Sequence, residues 1–271
     1  MIDKKYWRPK IYAALIHLAV SFLFAAIVAW LIYRVWYPAP YREVLWGQSI
    51  YKLLIGVDVI LGPLITLIVF NKKKSLFERS LDIGVIVILQ LSALGYGLWV
   101  MAQARPAQIV FEYDHFQIVP VYLIPMPQPG EKVTHQIEWE PWTGPNLISL
   151  RHSPLDEENI KKWKKEIQFG GSPLAARPVL WQPYKDAHGA VLNASIPVKE
   201  LLEKFPLEKS RINSAIEKTG IHEEELTYIP IYAGKLAGAV LLKKGTSDIL
   251  SVVHIKSMPV PSKYGVPENF N

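Results

Sequence analysis

Leu53–Met101 reads LLIGVDVILGPLITLIVF, then NKKKSLFERSLD, then IGVIVILQLSALGYGLWVM, and this stretch decides what kind of protein the chain makes. The two apolar runs hold 18 and 19 residues, with Asp58 as their only Asp, Glu, Lys, Arg or His. About 20 apolar residues, each rising about 1.5 Å along a helix, cross the roughly 30 Å of hydrocarbon in a bilayer. The core helix of a water-soluble protein is shorter and keeps a polar face. Neither run has one. The stretch therefore reads as two membrane-crossing helices joined by a basic loop, Asn71–Asp82.

Upstream, MIDKKYWRPK places four basic residues (Lys4, Lys5, Arg8, Lys10) before another apolar run, Ile11 to about Tyr33. A signal peptide also begins this way, but its apolar part is about 7–15 residues long and ends at a small-residue cleavage site. Here the run is longer and closes on Trp30, Tyr33, Trp36 and Tyr37, the residues of an interfacial aromatic belt. That describes an uncleaved signal-anchor helix. Basic residues mark the cytoplasmic side of a membrane protein. The tail and the Asn71–Asp82 loop carry four each, against three in Arg34–Lys52. The expected topology has the N-terminus in the cytoplasm, the Asn71–Asp82 loop beside it, and everything after Met101 outside.

The fold class that follows is a membrane α-helical domain with an α+β domain attached. The membrane domain is 1–104, with three transmembrane helices at about 11–33, 53–70 and 83–101. The rest, 105–271, is an α+β domain, periplasmic if the membrane is a bacterial inner membrane. Charge agrees with this division. Of the net +6, all falls in residues 1–104, and 105–271 is neutral with 19 basic and 19 acidic residues. A neutral outer half excludes a phosphate-backbone footprint, so no nucleic-acid partner is expected. Cysteine is absent, which removes disulfides and thiol chemistry.

Along the outer half, Gln108–Tyr113 and His115–Leu123 read as strands with a turn at Asp114. Lys132–Trp139 reads as a further strand, Glu140–Ser149 as a loop, and Ser153-Pro154 as the start of a helix carrying Ile160, Trp163 and Ile167 on one face. Gly170–Pro183 reads as a connector, and Val198–Phe205 and Leu207–Thr219 as helices, the second closed by Gly220. Leu226–Tyr232, Leu236–Lys243 and Ile249–Ile255 read as a meander. No phosphate-binding glycine loop, nucleophile elbow or histidine pair at metal-ligand spacing is present. Asp114 and His115, if in a strand, point to opposite faces. No enzyme, cofactor or metal site is expected.

The polar residues of the apolar segments carry what functional signal there is. An acid in hydrocarbon costs about 2.5–3.5 kcal/mol on insertion scales, so Asp58 should be protonated, paired or facing a partner. Counting helical rise from the segment ends pairs Asp58 in depth with Tyr96 as an outer polar layer, and His17 with Thr66 and Gln90 as an inner one. Gly62-Pro63 interrupts the second segment, since proline removes a backbone donor and kinks a helix. The pair reads either as a simple packing kink or, with Gly56, as the opening of a groove that a guest helix could enter.

The run Gly56-Val-Asp58-Val-Ile-Leu-Gly62-Pro63-Leu-Ile-Thr, the later Gln90-Leu-Ser-Ala-Leu-Gly95-Tyr96-Gly97, and Ala104-Arg105-Pro106 followed by Val110-Phe-Glu112-Tyr-Asp114 resemble the TfpX/TfpZ family of type IV pilin accessory proteins. The resemblance covers 1–116 and extends loosely to Leu226-Thr-Tyr-Ile-Pro230. It implies an inner-membrane protein that assists a cognate type IV major pilin in assembly or pilus dynamics, without enzymatic activity. The partner-contact candidates are Gly56, Asp58, Gly62, Pro63, Tyr96, Arg105 and Pro106, with membrane lipids as the other partner. The competing reading is a membrane-anchored periplasmic ligand-binding or sensor protein. It needs a cytoplasmic output module, which inner segments of about ten residues do not offer.

Overall fold

A computed structural model describes residues 4–38, 41, 56–71, 73–127, 133, 137–151 and 157–261. The chain divides into two compact units, one of residues 1–35 and 46–103, the other of 36–45 and 104–271.

The first unit is helical. Helix α1 runs Lys4–Leu31 and continues as a π-helical turn, Ile32–Trp36. A second π turn, Val57–Leu61, leads into α2, Gly62–Val69, with Pro63 in the first turn of the α-helical part. Pro63 has no N–H for the carbonyl one turn earlier, and the wider π turn takes up that mismatch without breaking the helix. Helix α3 spans Leu76–Ala104. Among the described residues two helices are long and apolar enough to cross a membrane, Trp7–Trp36 and Leu76–Ala104, with mean hydropathies of 2.5 and 2.0. Their large apolar side chains, such as Phe22, Leu23, Trp30, Ile88 and Leu89, lie exposed on the protein surface. Of the three expected spans, those at about 11–33 and 83–101 fall on these two helices. The described part of 53–70 is a shorter apolar helix, Val59–Val69, and Leu53–Ile55 lie outside the described residues.

The basic loop is also shorter than expected, because α3 starts at Leu76 and not after Asp82. Ser75 and Glu78 form a reciprocal cap: the Glu78 N–H donates to Ser75 Oγ at 3.2 Å, and the Ser75 N–H to Glu78 Oε2 at 2.8 Å. This is the Ser-x-x-Glu capping box that opens a helix. Lys74 Nζ pairs with Asp82 at 2.5 Å across the first turns.

The second unit is built on one mixed sheet. Its described strands are β1 (Pro106–Glu112), β2 (His115–Pro120), β3 (Asn146–Leu150), β4 (Trp181–Pro183), β5 (Ile196–Pro197), β6 (Leu226–Ala233), β7 (Leu236–Lys243) and β8 (Ile249–His254). They lie in the order β4-β3-β1-β2-β6-β7-β8, with β5 beside β6. Two of the pairings are parallel, β1 with β3 and β2 with β6; the rest are antiparallel. Strand alternation sends Ile229, Ile231, Val240 and Leu242 to one face, where they pack with Ile109, Phe111, Phe116 and Val191. Tyr228, Ala239, Leu241 and Val253 go to the other face. There they meet Val198 and Leu201 of α6 (Val198–Lys204) and Ile212 and Ala215 of α7 (Lys209–Thr219). Gly220 closes α7 at φ +68°, a left-handed conformation that glycine adopts without strain.

Several expectations are corrected here. Asn146–Leu150 is a strand and not part of a loop, and Gly170–Pro183 contains two 3-10 turns and β4, anchored by fully buried Trp181. Trp181 Nε1 donates to Ala175 O at 2.8 Å, so that connector is a packed part of the core. Helix α5, His188–Ala194, follows it. Half of the expected strand Lys132–Trp139 lies outside the described residues, as do Ser153 and Pro154, and Ile137, Glu138 and Trp139 are not strand; the helix after Pro154, α4, spans Glu157–Gln168. Asp114 and His115 do not point apart. Asp114 sits in the turn after Tyr113 (φ +59°), and its Oδ1 lies 2.9 Å from His115 Nδ1.

Candidate functional site: a groove with a polar floor

Within the helical unit, α1 and α2 run antiparallel, pinned at two points. Lys10 Nζ donates to the Ile68 carbonyl at 3.1 Å, and His17 Nδ1 lies 2.6 Å from Thr66 Oγ1. Beside this pair lies a cavity of about 410 Å³. Its α1 wall is Ala13, Ile16, His17, Val20, Ser21, Phe24, Ala25 and Val28, a helical three-and-four spacing. The opposite wall is Ile83, Val87, Gln90, Leu91 and Leu94 of α3, and Thr66 contributes from α2. The lining is apolar except for His17, Ser21, Thr66 and Gln90.

The glycine of the Gly62-Pro63 pair shapes this floor. A Cβ built on Gly62 would collide with the Gln90 side-chain amide and stand 3.1 Å from His17 Nε2. The absence of a side chain at Gly62 is what lets the Gln90 amide settle there beside His17. The inner layer His17, Thr66 and Gln90 is thus brought together, as helical depth predicts. Thr66 is 4% exposed. Buried hydroxyl and amide groups in an apolar setting are tolerated where they hydrogen-bond one another.

The remaining candidates are placed differently. Pro63 is buried next to Gly62. A Cβ on Gly56 meets nothing within 4 Å among the described residues, so Gly56 does not widen the groove as Gly62 does. Asp58 lies in the π turn, but its side chain falls outside the described residues, and with it the expected layer Asp58/Tyr96. Tyr96 is exposed on α3, its ring tilted against Trp99 at 5.9 Å. Arg105 and Pro106 belong to the other unit, where both are buried. The candidate list missed the apolar walls themselves, although the spacing from Ala13 to Val28 was legible as one face of a helix.

Comparison with known proteins adds a family. The profile of the fimbrial assembly protein FimB family matches residues 5–46, which include α1. The serogroup E1 fimbrial assembly protein of Dichelobacter nodosus is 30% identical over 244 residues, 89% of this chain and 93% of the relative. The serogroup I protein of the same organism is 28% identical over 246 residues, with the same coverage of both chains. The protein of serogroups C1 and C2 is 41% identical over 104 residues, 38% of this chain and 79% of its own length. No solved structure matches. Identity at that level across nearly the whole of both sequences cannot come from one apolar helix shared by chance: the chain belongs to the fimbrial assembly protein (FimB) family.

Proposed function

We propose that the chain is a multi-pass bacterial inner-membrane accessory protein for a cognate type IV major pilin, of the TfpX/TfpZ kind, acting as a pilin-specific chaperone or as a modulator of pilus assembly and dynamics. It works by contact and performs no reaction. The N-terminus is cytoplasmic, the segment at 53–70 makes a third crossing, and the sheet domain lies in the periplasm. A pilin before assembly is an apolar helix in the membrane carrying a globular head outside it. The groove takes that helix, Asp58 faces its polar N-terminal part, and the sheet domain meets the head.

The observation that carries this reading is the groove. A site of about 410 Å³, walled by Val20, Phe24, Val87 and Leu91, offers an apolar helix a place to pack inside the bilayer. A polar floor gives it a fixed depth, because a partner's hydrogen-bonding side chain gains only where it meets His17, Thr66 or Gln90. The name of the relatives, fimbrial assembly protein, supports the same assignment.

The test is pilin co-purification from cells carrying the full chain. Photo-crosslinking residues at Val20 and Leu91 are expected to capture pilin, and the same residues at exposed Phe169 and Leu207 are not. Asp58→Ala is expected to lower pilin recovery by about tenfold, the equivalent of about 1.4 kcal/mol of contact. Unchanged recovery and piliation in Asp58→Ala, with no crosslink from Val20 or Leu91, would refute the reading.

A further inference from the structure

Trp36 is the last residue of one candidate span, and Arg105 directly follows the last residue of the other. Both belong to the sheet-bearing unit, and there they meet on one side chain. The Trp142 indole stands edge-on to the Trp36 ring at 5.6 Å between centroids. Its face receives the Arg105 guanidinium at 5.5 Å. Arg105 also donates from Nε to the Pro141 carbonyl and from Nη2 to the Glu140 carbonyl, both at 3.4 Å. The backbone of Arg105 makes a further link, since its carbonyl accepts the Val121 N–H at 3.1 Å. That bond starts the 3-10 turn that carries Tyr122.

Burial divides this cluster and the segment after Val121 sharply. Trp36 is 3% exposed and Arg105 6%, whereas Trp142 is 57%, Tyr122 63% and Met126 90% exposed. Exposure alone singles out no surface, since Phe169 and Leu207 of the same unit are as exposed; a reason to set these three apart has to come from their position. Depth supplies one. The polar interface of a bilayer adds roughly 5–8 Å to each side of the hydrocarbon. Trp142 stands within about 6 Å of both span ends, and Tyr122 and Met126 follow in the chain directly on Val121, whose N–H the Arg105 carbonyl accepts. This edge therefore starts at headgroup level, where the amphipathic rings of Trp and Tyr are favoured.

We propose that Trp142, Tyr122 and Met126 form a membrane-seating surface of the sheet domain, resting in the interfacial layer of the bilayer that the chain's own spans cross. The proposal rests on the reading of Trp7–Trp36 and Leu76–Ala104 as spans. The contact is aromatic and apolar and not a salt-type attraction to anionic lipid, because the Arg105 charge is covered by Trp142 and the 140–141 carbonyls. Neighbouring Glu138 and Glu140 are exposed and would repel anionic headgroups.

Because the chain contains no cysteine, single cysteines can be placed and nitroxide-labelled without background. The full chain in nanodiscs carries one label at a time, from Tyr122→Cys, Met126→Cys, Trp142→Cys, Phe169→Cys, Leu207→Cys or Leu89→Cys. Accessibility to dissolved oxygen and to a water-soluble nickel chelate then reports depth. Labels at 122, 126 and 142 are expected to favour oxygen severalfold over labels at 169 and 207, and the label at 89 to read as hydrocarbon. Replacing part of the phosphatidylcholine with phosphatidylglycerol is expected to leave those depths unchanged. Aqueous readings at 122 and 126 with a hydrocarbon reading at 89 overturn the seating surface alone, and they do so even if Trp142→Cys disturbs its neighbours. An aqueous reading at 89 overturns the span assignment and the seat with it.

Discussion

Glu112 is fully buried at the end of β1, and neither carboxylate oxygen has a hydrogen-bond partner among the described residues. Burial pushes its pKa up to about 7, against the pull of the nearby His115 ring and with some help from Asp114. The folded state thus holds a proton that the unfolded chain gives up near the ordinary glutamate range. By linkage, this stabilisation is full below about pH 4.5 and is lost progressively as pH rises through about 7. Across that window it amounts to about 3 kcal/mol. Denaturant unfolding of the sheet domain in the full chain is expected to show falling stability from pH 5 to 8. Glu112→Gln, which keeps the shape without the charge, should flatten that slope and leave the protein more stable at pH 8. A slope unchanged in Glu112→Gln would assign the effect to other groups. Asp114 behaves oppositely, its pKa lowered chiefly by the hydrogen bond to His115. Sequence marked Asp114-His115 but could not show this bond, because strand alternation gives the wrong direction for a residue that sits in a turn.

At the scale of elements, the helix starts and bends have local causes that substitutions can reach. Ser75→Ala removes the hydroxyl cap of α3 and should cost about 1 kcal/mol, read as faster amide exchange confined to the first turn of that helix. Gly62→Ala meets the far end of a rotatable amide, so it is expected to be tolerated and only to turn Gln90 aside. Gly62→Leu fills the floor beside His17, and with Thr66→Val it should reduce groove crosslinking while leaving the amount of folded protein unchanged. Thermal unfolding checks the second half of that statement. Much of this was legible in advance. The alternation of Leu226–Lys243 and the period of Val198–Thr219 locate their elements within about two residues, and Gly220 marks the helix stop. What was hidden has physical reasons. Asn146–Leu150 is too short to show alternation, and β4 lies in a stretch whose prolines and glycine resemble a linker. Ser75-x-x-Glu78 was readable as a helix start, but the basic run before it draws the eye to a loop.

For the whole molecule, the charge division makes a topological statement. The proposed periplasmic placement predicts that a reporter or protease site at residue 200 is active outside the inner membrane and that one in the basic loop near Lys74 is active inside. The opposite pattern would remove the pilin reading. Composition and apolar length alone reached the division into a helical part and an α+β part. They could not reach the order of the sheet, because its parallel pairings join residues whose relation is invisible in local sequence. The same holds for the groove, since two walls of ordinary apolar residues become a site only when helices bring them to face each other.

The pairing of β2 with β6 has a consequence for how the protein is made. Phe116 is aligned with Ile231 and Gln117 with Tyr232, so a strand close in sequence to α3 must wait for one delivered near the end of synthesis. Until Leu226 onward has emerged, β2 keeps a bare flank of unpaired amides. Premature termination anywhere in that interval would leave a hairpin with an open edge, prone to stick to its own kind, and not a shorter version of the same fold.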